Sequence, residues 1–137
     1  MKIYLDEKPP GKNLFFELFL TTGWNEKYRL GADELYAAIK KSWYMISAYD
    51  NGRFVGFGRI ICDGVVHALI LDIIVHPAYK RKGIGTKILN HLVGRCRNHN
   101  IRDIQLFCAK NKIGFYTKNG FMPRPKNAPG MDLKKNP

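Results

Sequence analysis

In the stretch YKRKGIGTKIL, residues 79–89, Lys80, Arg81, Lys82 and Lys87 crowd around Gly83 and Gly85. Glycines let a ligand approach the main chain. Where such a turn opens a helix, the first N–H groups point outward with the positive end of the helix dipole. That combination suits an anion, and phosphate is the natural guest. Two familiar phosphate loops do not fit: the spacing G-x-x-x-x-G-K-[ST] is absent, and a dinucleotide fingerprint needs a third glycine where Ile88 stands. Asp103 lies at the distance of a ribose-binding acid but precedes its strand, which argues against NAD.

A second chemical feature is Asp72, the one charge in the apolar run LILDIIVHP that ends at Pro77. An unpaired carboxylate in a strand buried on both faces is costly, so Asp72 either acts as a base or is satisfied by a partner such as a buried Arg59 or a backbone N–H. Ile70 and Ile74 are expected on its face of the strand. His76 and His67 are weaker bases by position, with surface loop histidine as the plain alternative. The four histidines lack ligand spacing, and Cys62, Cys96 and Cys108 show no C-x-x-C pattern, so no metal site is expected. All three thiols lie in apolar periodic segments and read as reduced core residues.

These groups need elements to hold them. KIYLDE reads as a short strand, Leu14 to Leu20 as a helix ended by TTGW, and Ala32 to Lys41 as a second helix with Gly31 as N-cap and Glu34 at its third position. The period then changes. WYMISAYD and RFVGFGRIIC, joined by Asn51-Gly52, read as a hairpin; a turn at Asp63-Gly64 leads into a strand from about Val66 to Val75. Ile84, Ile88, Leu89, Leu92, Val93 and Cys96 recur at helical spacing opposite a basic face. IRDIQLFC reads as another strand, IGFYTKNG as a short helix closed by Gly120, and GFMPRP with GMDLKK as one or two weak final strands. This is an α/β pattern: one domain over residues 1–137, with a mixed, mostly antiparallel sheet flanked by helices.

YKRKGIG resembles the pyrophosphate-binding motif of the GNAT N-acetyltransferase superfamily, Q/R-x-x-G-x-G/A. Lys80, Gly83 and Gly85 stand at its fixed positions, with lysine replacing glutamine or arginine. NKIGFYTKNGF, from Asn111 to Phe121, resembles the family's downstream N-x-x-x-F-Y-x-K-x-G-F, and the hydrophobic strand before the loop fits the same order. VGFGRIICDG and LDIIVHP also resemble the short bacterial members and the plant-type serotonin N-acetyltransferases.

The resemblance implies direct transfer of an acetyl group from the cosubstrate acetyl-CoA to a primary amine, with an arylalkylamine as one option and no metal. The cleft would open between two splayed central strands. Backbone N–H groups from Arg81, Lys82, Gly83, Ile84, Gly85 and Thr86 would hold the diphosphate, with Lys80 beside them and Arg81, Lys82 or Lys87 offering charge to the 3′-phosphate. The strand end Ile73, Ile74 and Val75 would bind the pantetheine amides, and one of its N–H groups would stabilise the oxyanion. Asp72 would be the general base. Tyr116 would protonate the leaving thiolate, its phenol eased by Lys112 or Lys118; a tyrosine there could equally pack against pantetheine. Asn111 would bond the cofactor or simply cap its helix. Phe15, Phe16, Trp24, Tyr28, Tyr36 and Met131 would line the acceptor pocket, unless the aromatics are core.

The net charge of +12 fits an anionic partner class without naming one. A GNAT fold that binds acetyl-CoA without catalysis is one alternative. A basic nucleic-acid-binding module is another, disfavoured because it leaves FYTKNGF and Asp72 unexplained. The expected partner is a small-molecule or peptidyl amine, with a homodimer allowed and no membrane contact. The N-terminus MKIYLDEKPPGK has no apolar segment of the kind a signal peptide carries, so the expected location is cytoplasmic.

Overall fold

The computed structural model describes residues 1–135. Two compact units divide the chain, residues 1–106 and the segment from Phe107 onward. The first holds β1 (Ile3–Asp6), α1 (Lys12–Leu20), α2 (Asn25–Tyr28), α3 (Ala32–Ile39), β2 (Tyr44–Asp50), β3 (Arg53–Cys62), β4 (His67–Val75), a 3-10 turn (Pro77–Tyr79), α4 (Ile84–Asn98) and β5 (Asp103–Leu106). The second holds α5 (Ile113–Lys118). The sheet runs in sequence order, with β1 to β4 antiparallel and β5 parallel to β4.

Local chemistry accounts for the boundaries. Pro9-Pro10-Gly11 precedes α1, and the hydroxyls of Thr21 and Thr22 close it by donating to Leu18 O at 2.6 Å and Phe19 O at 2.7 Å. The single turn α2 was not anticipated, because one turn is too short to show a period; Asn25 braces it by bonding both the N–H and the carbonyl of Leu30. Asn51 and Gly52, with φ of 49° and 83°, make the tight link between β2 and β3. After β3, the Asp63 carboxylate accepts from the N–H groups of Val65 and Val66 and aims the chain into β4.

Phe15, Leu18 and Phe19 of α1 and Leu35 and Ile39 of α3 form one buried cluster with Phe57 and Ile74 of the sheet. On β3, Gly56 and Gly58 give α4 its seat. A Cβ at Gly58 would stand 2.7 Å from Ile88 Cγ2 and 2.9 Å from Leu92 Cδ1, so α4 rests on bare main chain. This sets where the N-terminus of α4 lies relative to the end of β4.

In the second unit Tyr116 makes edge contacts with Phe115 and Phe121, and Gly120 at φ 93° turns the chain out of α5. The final strands expected from GFMPRP and GMDLKK do not form among the described residues. Pro123, Pro125 and Pro129 have no N–H to give a ladder, and Met122, Met131 and Leu133 stay exposed.

Candidate functional site

The loop before α4 is built from the hairpin outward. Tyr79 donates its phenol proton to Asp50 Oδ2 at 2.9 Å, and that bond pushes the Tyr79 pKa up. Arg53 and Lys82 lie over the Tyr79 ring at 5.6 and 6.0 Å. His76 Nδ1 accepts from Ala78 N, which sets the 3-10 turn. Arg81 (φ 62°) and Gly83 (φ 80°) then adopt left-handed conformations on either side of Lys82.

The first bond into α4 runs from Lys87 N to Gly83 O at 3.1 Å; no backbone N–H from Arg81 to Thr86 donates to a protein acceptor among the described residues. No side chain caps the helix. Lys80, Arg81, Lys82 and Lys87 are exposed and have no ion-pair partner among the described residues. A row of free donors at a helix N-terminus, ringed by cations, is an arrangement able to receive an anion. Ile84 contributes only its N–H, since its side chain is buried.

The end of β4 departs from a regular strand. Leu71 pairs with Arg59 and Ile74 with Phe57, so Gly58 alone opposes both Asp72 and Ile73. This is a β-bulge, with Asp72 at φ 55°. A non-glycine residue there costs of order 1–3 kcal/mol and needs support from its surroundings. The extra residue also flips the side-chain alternation. Ile70 pairs with Ile60 and Ile74 with Phe57, and those two β3 residues point to opposite faces. The expectation that Ile70, Asp72 and Ile74 share a face is corrected for that reason.

Asp72 is not a lone carboxylate. Its Oδ2 accepts from Arg59 Nε at 2.7 Å, with the two side chains 22% and 13% exposed, and Arg59 Nη1 reaches Ser42 Oγ at 3.4 Å. The arrangement found is thus the paired aspartate. His76 N donates to Val55 O across β3, and strand amides alternate in direction. Val75 therefore turns its amide toward the opposite edge. Ile74 is committed to the β3 ladder and the core. On that opposite edge, pairing with β5 ends at Ile70 and Leu106, the last residue of β5, so the ladder stops before the bulge. His67 lies at the far end of β4, 3.6 Å from Asp103.

In the second unit, burial and then the neighbouring Cys108 thiol push the Tyr116 pKa up, opposite to the lowering expected from Lys112 or Lys118. The phenol stays protonated through neutral pH. Lys112, not Asn111, occupies the N-cap of α5; Asn111 lies before it at φ 64°. Cys108 is exposed, not core, because it follows the end of β5; Cys62 is half-buried, and Cys96 is buried with its pKa pushed up to about 11. Among the described residues no group of three or more His, Cys, Asp or Glu side chains could hold a metal ion, and no helix is long and apolar enough to cross a membrane.

Residues 13–121 match the model of the acetyltransferase (GNAT) family. The chain belongs to the GNAT family. It is 33% identical over 98 residues to the uncharacterized N-acetyltransferase ycf52 of Pyropia yezoensis, covering 69% of this chain and 56% of that protein. It is 30% identical over 119 residues to the chloroplastic serotonin N-acetyltransferase 2 of Oryza sativa subsp. japonica, covering 84% and 58%. The chain thus spans a little over half the length of these curated relatives. A probable acetyltransferase of unknown function from methicillin-resistant Staphylococcus aureus shares the fold, with a TM-score of 0.83 at 24% identity over 98% of this chain and all of that one.

Most of the aromatic residues expected to line the acceptor pocket of this GNAT chain belong to or pack against one buried cluster. Phe15 is core, and Phe16, Trp24 and Tyr36 pack against it, with Tyr36 Oη donating to Pro10 O at 2.7 Å. Tyr28 is largely exposed, and Met131 belongs to the second unit. Reading the sequence alone missed Tyr79, Asp50 and Arg53, which meet ahead of the glycine turn, and Ser42, which braces Arg59. Only Arg59 carried a signal: it is the one cation inside the apolar run of β3.

Proposed function

We propose that this GNAT protein transfers the acetyl group of acetyl-CoA directly to a primary amine. The observation that carries the reading is the run of unpartnered N–H groups from Arg81 to Thr86, ringed by cations and placed directly after a bulged, half-open β4. Those donors take the diphosphate, while Lys80, Arg81, Lys82 and Lys87 supply charge for it and for the 3′-phosphate. The amides of Ile73 and Val75 take the pantetheine amides along the open edge of β4. At the bulge the Ile73 N–H takes the negative charge of the oxygen as the amine attacks the thioester carbonyl.

The amine nitrogen forms its bond to the carbonyl carbon, the carbon–sulfur bond breaks, and Tyr116 gives its proton to the departing sulfur and regains one from solvent. The amine proton leaves to water, since the Asp72 carboxylate is held by Arg59. Acetyl-CoA supplies the activated acyl group, so no metal is required. The acceptor is a small-molecule or peptidyl amine. The likeness to the rice relative named for serotonin makes an arylalkylamine the first class to try. We read the chain as one functional domain working in the cytoplasm.

The test is a panel of arylalkylamines, polyamines, aminoglycosides and peptides assayed for free CoA released from acetyl-CoA. Release that depends on one amine class supports the proposal. Acetyl-CoA binding with no release from any amine would instead mark a silent binder.

A further inference from the structure

We propose that Arg59 is the positioning residue of this site: braced by Ser42, it clasps the Asp72 carboxylate and so keeps β4 in the bulge that turns the Ile73 amide to the open edge. The inference rests on the acetyl-transfer reading for its catalytic consequence, and on the strand geometry alone for its structural one.

An aspartate at φ 55° is in an unfavourable conformation, flanked on both sides by ordinary antiparallel pairing. Left to itself the aspartate gains by relaxing out of the left-handed region, while burial of Ile70 and Ile74 on opposite faces holds the register. Arg59 sits opposite Leu71, the residue just before the bulge, and its guanidinium has the fork to satisfy two partners at once. Nε holds Asp72 Oδ2 at 2.7 Å, and Nη1 reaches Ser42 Oγ at 3.4 Å, just ahead of β2. Three stretches of chain are thereby tied at one point: the approach to β2, β3, and the bulge of β4. With both side chains mostly withdrawn from water, the pair is poorly screened, and removing one partner leaves the other stranded.

The consequence is specific. Asp72 acts through main-chain geometry and not as a proton acceptor, so the group that matters is one that glycine can replace. Glycine takes a positive φ without a clasp. The anion loop is built on separate contacts from Tyr79, so acetyl-CoA affinity is expected to be insensitive to the pair.

The experiment uses Arg59→Met, Asp72→Gly and the double variant, with kcat per folded molecule and acetyl-CoA Kd measured well below each melting temperature. Arg59→Met is expected to lower kcat by about tenfold or more, because the oxyanion donor is displaced, with Kd within about threefold. Asp72→Gly is expected to lose less than about tenfold, and adding it to Arg59→Met to restore kcat to within that margin of wild type. Arg59→Lys keeps the charge without the fork and should fall between Arg59→Met and wild type.

Loss of about tenfold or more in Asp72→Gly would overturn the proposal by making the carboxylate itself the proton acceptor. A kcat within about tenfold of wild type in Arg59→Met would overturn it by reducing the pair to a fold contact. Should Arg59→Met not fold, the double variant decides, since it strands no carboxylate: a kcat within tenfold of wild type supports the clasp and a larger loss refutes it. A wild type inert toward every amine sinks the acetyl-transfer reading only. A crystal structure of the folded Arg59→Met or Arg59→Lys variant then judges the clasp: a relaxed Asp72 supports it, and a retained left-handed bulge contradicts it.

Discussion

Glutamate at position 83 is expected to weaken acetyl-CoA binding far more than alanine there. Gly83 adopts φ 80°, where an L residue costs about 1–2 kcal/mol, and a Cβ built on it meets no atom within 4 Å. Gly83→Ala should therefore lose only that strain, about 3–8 °C in melting temperature for a chain of this size. The loop donors remain in place. Gly83→Glu adds a carboxylate next to the bound diphosphate. At a separation of about 6 Å and an effective dielectric of about 40, each pair of unit charges repels by about 1.4 kcal/mol. Two phosphate charges give about 2.8 kcal/mol, or roughly a hundredfold in Kd. Calorimetric titration of wild type and both variants, at about 50 and about 300 mM salt, should show the glutamate penalty shrinking with salt while the alanine effect stays fixed. Equal affinity in Gly83→Glu and Gly83→Ala would refute the assignment of the loop to a diphosphate.

Tyr116→Phe should keep acetyl-CoA affinity within a few-fold and lower kcat by about a hundredfold, as for loss of a general acid. Because burial raises the Tyr116 pKa, the wild-type rate should hold to above about pH 10 and fall as pH rises through the raised value; a rate unaltered in Tyr116→Phe would hand proton donation to water. Gly58→Ala should destabilise by about 1–3 kcal/mol in a chemical melt, since its methyl would press on Ile88 and Leu92 at less than 3 Å; a neutral outcome would mean that α4 is not seated on β3 as described. Tyr44, with its pKa pushed up to about 12 by burial and Glu7, favours the neutral phenol in the fold. Its contribution is present below the unfolded pKa near 10 and is lost as pH rises through about 12, so alkaline melts should flatten in Tyr44→Phe.

The turn between β4 and α4 was legible because its information is local: glycines and cations at fixed spacing, between an apolar strand and a periodic helix. The hairpin at Asn51-Gly52 and the amphipathic α4 were legible for the same reason. The bulge was not. LILDIIVHP offers an apolar run interrupted only by Asp72, and nothing in it says that the aspartate leaves the ladder; the partner that holds its carboxylate, Arg59, lies on the neighbouring strand. Tyr79 likewise gives no hint alone that it will meet Asp50 from the hairpin. The direction of the Tyr116 shift failed because charges can be counted in a sequence, whereas burial cannot. The final strands failed where prolines, already visible in the sequence, outweighed a weak apolar signal.

Binding of acetyl-CoA to the wild-type protein is the most direct test of the central claim. A ligand at a hundred times its Kd adds about 2.7 kcal/mol of stability, a rise of roughly 8–11 °C in melting temperature for a chain of this size. Thermal melts with acetyl-CoA, and in parallel with duplex DNA at the same ionic strength, are predicted to show that rise with acetyl-CoA alone. Stabilisation by DNA with no response to acetyl-CoA would contradict the claim and return the basic loop to a nucleic-acid role.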